Sequence, residues 1–216
     1  MLKSALMADV PHGFSTRQDL DPASLLPGAP LMLAKQVHSP RVAVVTEPWV
    51  GPPPGVDALV TDRAGLLLGV VTADCAPVLL ADIEAGVVGA AHAGWRGALD
   101  GVVENTVLAM EGLGARRDRI RASIGPAIAQ ASYEVDAAMR HRFPADAAQF
   151  FANGRPDHWQ FDLPGFVAQR LRQAGVKAVD DLAQDTYAQE GRFFSFRRAT
   201  HRGKATGGRQ TSVIGL

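Results

Sequence analysis

The sequence contains a single cysteine, Cys75, among its 216 residues. One cysteine cannot form a disulfide within the chain, so the disulfide-rich scaffolds of small secreted proteins are excluded. The first ten residues also lack the apolar core of a signal peptide. The cytoplasm is therefore the expected compartment.

The sequence also lacks net charge and long hydrophobic runs. Its 22 basic residues are balanced by 22 acidic ones, so no overall positive field attracts nucleic acid or an anionic membrane. The longest apolar stretches, 65–71 and 85–91, are far shorter than the ~20 residues that cross a bilayer. We therefore expect neither nucleic acid nor a membrane as a partner.

The remaining composition is that of a globular protein, with 47% hydrophobic residues and 22 glycines. A chain of this length suits one domain, covering residues 1–216. Apolar and β-branched runs predict strands, and helical spacing of apolar residues predicts helices. The expected strands are 41–46, 58–61, 66–72, 78–82, 87–92, 121–124 and 192–197; the expected helices are 98–113, 136–143 and 164–174. Residues 200–209, rich in glycine and basic residues, are expected to form a surface loop or a basic flap.

One thiol and two imidazoles form the strongest candidate site. Zinc prefers nitrogen and thiolate ligands, and a catalytic zinc commonly has three protein ligands and one open position. His38, Cys75 and His92 supply such a set, although their spacing matches no metal-binding pattern. Alternatively, Cys75 is a packed core residue and His92 a buried histidine.

The residues around Cys75 and His92 favour the functional interpretation. Asp74 precedes the thiol and interrupts an apolar strand. A strand that only packs in the core has no need of a carboxylate at this position. After His92, the sequence places Trp95 and Arg96 among small residues at a predicted strand-to-helix junction, where the backbone can approach an anionic ligand closely.

Several motifs together resemble the YfiH-type family, whose members are also labelled multicopper polyphenol oxidases and purine nucleoside phosphorylases. The resemblance implies an α+β fold, a four-layer αββα sandwich with mixed sheets. It implies zinc at His38, Cys75 and His92, and adenosine, inosine and methylthioadenosine as substrates. The motifs lie at 35–38 (KQVH), 57–61 (DALVT), 72–77 (TADCAP), 92–97 (HAGWRG), 123–126 (SIGP), 133–135 (YEV) and 193–198 (FFSFRR).

The sequence departs from the family pattern in three places. The run 18–34 is short, Asp185 replaces a common cysteine, and the segment 199–206 is long. From the short run we expect part of the substrate pocket or of a dimer contact to be missing. We expect metal binding to persist, and the chain to be a monomer or homodimer.

Two reactions follow from the resemblance, and each needs different side chains. Adenosine deamination requires a carboxylate that carries a proton, for which Asp74 and Glu134 are the candidates. Phosphorolysis requires cations that hold phosphate. Arg96 and Lys35 are the candidates, with Arg197 and Arg209 as weaker ones. Asp57 is interpreted as a turn cap.

Two other chemistries remain open. A copper-dependent polyphenol oxidase is suggested by the older family label, but no methionine flanks the proposed ligands as an axial copper ligand would. A cysteine hydrolase would use Cys75 as the nucleophile and His92 as the base, without any metal.

Overall fold

The computed structural model describes residues 1–216 and contains thirteen strands and five α-helices. The strands are β1 (His12–Phe14), β2 (Leu31–Leu33), β3 (Val42–Val44), β4 (Ala58–Thr61), β5 (Leu67–Thr72), β6 (Ala76–Asp82), β7 (Val87–Ala93), β8 (Arg121–Ile124), β9 (Glu134–Asp136), β10 (Phe151–Asn153), β11 (His158–Phe161), β12 (Ala178–Asp181) and β13 (Gln210–Gly215). The helices are α1 (Trp95–Asp100), α2 (Val102–Gly112), α3 (Ala137–Arg140), α4 (Leu163–Gln173) and α5 (Phe196–His201). No helix has both the length and the apolar character needed to cross a membrane.

The strands form three sheets. A six-stranded sheet has the order β12-β8-β6-β7-β4-β3, and a four-stranded sheet has the order β1-β13-β5-β2. Each contains both parallel and antiparallel pairs. A small antiparallel sheet, β10-β11-β9, completes the set. The predicted α+β class with mixed sheets is confirmed.

The six-stranded sheet is buried on both faces. Along β6, Val78 and Leu80 belong to the core cluster that includes residues of α2 and α4. Leu79 and Ala81 alternate with them and pack against residues of the four-stranded sheet. Because successive side chains of a strand point to opposite faces, burial on both sides explains why these strands are continuous apolar runs in the sequence.

The predicted central strands and the helix at 164–174 are confirmed, but three other elements differ. The predicted helix 98–113 is two helices, because Gly101 adopts a left-handed backbone conformation (φ 99°) between α1 and α2. The predicted helix 136–143 contains only the single turn of α3. The predicted strand 192–197 is wrong: Ser195 caps a helix by accepting a hydrogen bond from the Arg198 amide, so α5 begins at Phe196.

Two of the segments that depart from the family pattern contain little regular structure. The run 18–34 contains one 3₁₀ turn, Pro22–Ser24, and the short strand β2. Within 200–209, the chain completes α5 and then runs as an exposed loop to β13.

Candidate metal centre and adjoining cavities

The three predicted metal ligands meet at one end of the six-stranded sheet. Cys75 lies just before β6, His92 lies near the end of β7, and His38 lies in the turn before β3. Pairing of β6 with β7 places Pro77 opposite His92, which brings the thiol and the imidazole to the same end. One ligand atom from each side chain lies within 4.8 Å of the others. His92 is buried, Cys75 is half-buried and His38 is exposed, so the cluster is open on one side.

Gly94 provides the space in which this cluster sits. A Cβ atom at position 94 would lie 2.8 Å from His38 Nδ1 and 3.0 Å from Cys75 Sγ, so that one or both side chains would have to shift. The glycine therefore allows an imidazole nitrogen and a thiol sulfur to converge over the backbone. A soft thiolate with two imidazoles, gathered around a position that excludes a methyl group, fits a zinc or copper ion.

Asp57 holds two of the three ligands in place. Its buried carboxylate accepts a hydrogen bond from His92 Nδ1 at 2.8 Å, which leaves the Nε2 atom of that ring for the cluster. It also accepts the backbone N–H groups of Val37, His38 and Ser39, at 2.7–3.2 Å. These bonds stabilise the turn in which His38 has a left-handed backbone (φ 57°). Asp57 is therefore a positioning residue, not the simple turn cap that the sequence suggested.

The hydrogen bonds of the centre determine its ionisation. Burial opposes ionisation of Asp57, but the bonds from His92, Ser39 and Val37 outweigh it and hold the pKa of the carboxyl well below its usual range. Burial also opposes a charge on His92, yet its bonds to Asp57 and Cys75 raise its pKa to about 9. Burial and the neighbouring His92 lower the pKa of His38. One imidazole is thus readily deprotonated for a metal, whereas the other must release a bound proton.

The raised pKa of His92 predicts how the stability of the metal-free protein depends on pH. The folded state binds this proton more tightly than the unfolded state, so the stabilisation is complete below pH 6.5 and disappears as the pH rises through about 9. We expect the free energy of unfolding to fall by roughly 3 kcal/mol over that interval. The pKa values of His12 and His38 are lowered, so these two residues change the free energy of unfolding only below pH 6.5. Urea denaturation of the metal-free protein at several pH values measures this slope, and a flat profile would contradict the assignment.

Asp74 lies beside the cluster, but its oxygens are already engaged. Its carboxylate accepts hydrogen bonds from Thr186 Oγ1 (2.6 Å), Ser195 Oγ (3.0 Å) and the Arg197 amide (2.7 Å). Its own backbone is left-handed, with φ 90°. Asp74 therefore fastens the start of α5 next to Cys75. This use of both oxygens competes with the predicted role as a proton carrier.

A cavity of about 590 Å³, here called the metal cleft, opens above the cluster. Arg96, Arg197 and Arg209 line it, but Lys35 is exposed and lies outside it. Its neighbour Gln36 lines the cleft instead and is held by two hydrogen bonds to the Val71 backbone. The cleft is lined by Gln36, His38, Val71, Thr72, Ala73, Asp74, Cys75, His92, Trp95, Arg96, Ile128, Tyr133, Leu163, Phe196, Arg197 and Arg209.

A second cavity of similar volume, here called the basic groove, adjoins the metal cleft. The two cavities share Trp95, Arg96, Tyr133 and Arg197. Glu134 lies in the groove and not in the cleft, where it forms an ion pair with Arg155 (2.9 Å). The groove is lined by Trp95, Arg96, Tyr133, Glu134, Val135, Asp136, Ala138, Met139, Arg142, Arg155, His158, Arg197 and His201.

Most of this chain matches the model of one known protein family. Residues 13–216 match the model of the family described as multi-copper polyphenol oxidoreductase laccase. The chain belongs to this family. The resemblance to YfiH-type proteins is thereby confirmed, and the three clustered ligands lie within the matched region.

Relatives and solved structures support the same assignment. A Streptomyces griseus protein named purine nucleoside phosphorylase is 42% identical over 87% of this chain and 74% of its own length. A Deinococcus radiodurans protein of the same name is 40% identical over 84% of this chain and 68% of its own. The crystal structure of Bacillus licheniformis YfiH superposes with a TM-score of 0.80 at 30% identity, covering 90% of this chain and 78% of that one. A Neisseria meningitidis structure gives 0.79 at 34% identity, covering 88% and 76%.

Asp185, which the resemblance implies stands in place of a cysteine, organises a loop. Its carboxylate accepts hydrogen bonds from Ser132 Oγ (2.6 Å) and from the amides of Ala129 and Tyr187. The residue lines neither cavity. That metal binding persists with aspartate at this position stays a prediction.

Proposed function

We propose that this protein is a zinc-dependent purine nucleoside phosphorylase that accepts adenosine, inosine and methylthioadenosine. One observation carries the proposal: the metal cleft combines an open His38–Cys75–His92 cluster with arginine side chains that have no carboxylate partner. The relatives named purine nucleoside phosphorylases support the choice of substrate.

The walls of the cleft suit a purine ring and a sugar. Phe196 is 49% exposed although it is aromatic, and it faces the cleft with Ile128 and Leu163. An aromatic side chain that is kept partly exposed offers a stacking surface for a base. Thr72 adds a buried hydroxyl oxygen without a hydrogen-bond partner, which a sugar hydroxyl could satisfy.

Two arginines are placed to hold phosphate. Arg197 donates one N–H to the Glu134 carbonyl oxygen (2.8 Å) and keeps its other donors free. Arg96 stacks on Trp95, with its guanidinium carbon 4.4 Å from the ring centre. In the reaction, a phosphate oxygen forms a bond to the anomeric carbon while the bond from that carbon to the purine nitrogen breaks. The electron pair and the proton lost by phosphate both pass to the purine, and the guanidinium groups stabilise the phosphate throughout.

Zinc fits the cluster better than copper does. No methionine lines the metal cleft to act as an axial copper ligand, and the chain contains one His and Cys cluster of this kind and not several. A zinc ion held there would supply Lewis-acid polarisation of bound groups. Asp57 would keep His92 oriented toward it.

Adenosine deamination at the same cleft is less well supported. It needs a carboxylate that can exchange a proton near the base. Asp74 uses both oxygens to hold Thr186, Ser195 and Arg197, and Glu134 is paired with Arg155 in the groove. Neither predicted proton carrier is free, which favours phosphorolysis.

One arrangement favours a cysteine hydrolase as a second candidate. Cys75, His92 and Asp57 lie in the order nucleophile, base and orienting carboxylate: the ligand atoms of Cys75 and His92 are within 4.8 Å of each other, and His92 Nδ1 is hydrogen-bonded to Asp57. Such an arrangement operates without metal. Its activity would survive chelation and be lost on alkylation of the thiol.

Metal and product analysis of the untagged protein tests these functions. We expect one zinc per chain, and adenine with ribose 1-phosphate from adenosine only when phosphate is present. The His38→Gln variant should lose metal and at least about 100-fold of the activity, because it removes one of three ligands. His141→Gln, at an exposed histidine that lines neither cavity, is the control. Inosine formed without phosphate would identify a deaminase instead, and activity without any metal would favour the hydrolase.

A further inference from the structure

The basic groove has an excess of positive charge that its own residues do not neutralise. Arg96 and Arg142 both lie against Trp95, with guanidinium carbons 4.4 and 5.4 Å from the ring centre. Arg197 lies 5.3 Å from the ring centre of Tyr133. None of the three has a carboxylate within ion-pairing distance, whereas Arg155 in the same groove is paired with Glu134. Three positively charged guanidinium groups therefore lie against the rings of Trp95 and Tyr133 in one groove.

The carboxylates of the groove have other partners. Glu134 accepts hydrogen bonds from Arg155 Nε at 3.0 and 3.1 Å. Asp136 caps α3 by accepting the Met139 amide at 2.8 Å. Glu134 offsets Arg155, but Asp136 keeps its negative charge. The four arginines and two acids that line the groove therefore leave a net charge of +2, which favours an anion.

The position of this charge relates the groove to the metal cleft. Arg96 and Arg197 line both cavities, whereas Arg142 lines only the groove. A phosphate bound between these three side chains would lie at the boundary of the cleft, beside a nucleoside but outside the space that the nucleoside occupies. Guanidinium groups bind phosphate through paired, charge-assisted hydrogen bonds.

We infer that the basic groove is the inorganic phosphate subsite, that phosphate enters through it, and that Arg142 is its specific contact. This inference rests on the proposed phosphorylase function and assigns the two substrates to separate cavities. The nucleoside occupies the metal cleft, and phosphate reaches it across the wall formed by Arg96 and Arg197. Arg142, which lies outside the motifs that identify the family, sets the affinity for phosphate without touching the nucleoside.

Calorimetric titration of the full-length protein with inorganic phosphate, at fixed ionic strength and without nucleoside, tests the subsite. Arg142→Gln should weaken phosphate binding about tenfold, the loss expected for one charge-assisted contact. Arg140→Gln is the matched control, because Arg140 also lies on an aromatic ring, that of Phe151 at 4.6 Å, but does not line the groove. Its phosphate affinity should stay within about twofold of the parent protein.

Steady-state kinetics separates this inference from the proposed function. Arg142→Gln should raise the KM for phosphate about tenfold and leave the KM for the nucleoside unchanged. If Arg142→Gln and Arg140→Gln weaken phosphate equally, or if neither does, the subsite is wrong even though phosphorolysis stands. If the parent protein cleaves no nucleoside, the proposed phosphorylase function is wrong. If Arg142→Gln also binds phosphate as tightly as the parent protein in calorimetry, the phosphate subsite is wrong as well.

Discussion

The Gly94→Ala variant is expected to bind zinc roughly 100-fold more weakly than the parent protein and to lose its activity in proportion. The added Cβ would lie 2.8 Å from His38 Nδ1 and 3.0 Å from Cys75 Sγ, so both ligands must move apart. The backbone itself tolerates alanine, because Gly94 has an ordinary extended conformation (φ −72°, ψ 165°). The variant should therefore fold and fail at the metal centre specifically.

Zinc titration with a competing chelator measures the loss of metal affinity in Gly94→Ala. Thermal denaturation without metal measures whether the variant still folds. Gly112→Ala is the control, since a Cβ at that position in α2 meets no atom within 4 Å. It should keep the metal affinity of the parent protein. Gly94→Ala protein that binds zinc as tightly as the control would show that His38 and Cys75 do not share one ion.

The sequence predicted the central strands because burial on both faces leaves a distinctive apolar run. It also predicted, from residue type and from the family motifs, that His38, Cys75 and His92 would converge. The structure brings their ligand atoms within 4.8 Å of each other. Residue type and family motifs were sufficient here, because few side chains other than thiols and imidazoles bind zinc.

The supporting residues could not be predicted in the same way. Asp57 resembles any aspartate at a strand end, and its role depends on contacts with residues 18 to 35 positions away in the sequence. The sequence predicts a strand at Phe196, because the aromatic run 193–196 has strand propensity and the capping hydrogen bond of Ser195 is visible only in the structure. Lys35 is a candidate through its charge and its place in a motif, yet the adjacent Gln36 faces the cleft.

Asp74 and Glu134 illustrate why a carboxylate near a metal is not by itself a proton carrier. Both belong to motifs that resemble the family, and both lie within or beside the cleft. The structure gives each a set of donors: a hydroxyl pair and an amide for Asp74, and a guanidinium for Glu134. Oxygens that already accept hydrogen bonds from these donors are not free to exchange a proton with a bound substrate. Their contribution is to place α5 and the wall of the groove.

Substitution of Asp57 by Asn should weaken zinc binding by about 10- to 100-fold, the usual effect of removing the partner of a metal-binding histidine. The amide nearly preserves the shape of the carboxylate but presents an N–H₂ group to donors. Two carboxylate oxygens now accept the N–H groups of Val37, His38, Ser39 and His92. In the Asn variant these donors would compete for a single amide oxygen. A buried donor left unpaired costs about 1–3 kcal/mol, so the metal-free protein should also lose stability.

Reduced stability alone would not establish that Asp57 positions His92, so the informative measurement is the pKa of that imidazole followed by NMR. In the parent protein the bonds to Asp57 and Cys75 raise it to about 9, and the Asn variant should move it toward the ordinary value. Asp62→Asn, at the other end of β4 and paired only with the exposed Arg63, should change neither zinc affinity nor this pKa. If Asp57→Asn left the pKa of His92 unchanged, the carboxylate would not stabilise the charged ring. The raised pKa of His92 would then be due to Cys75 alone.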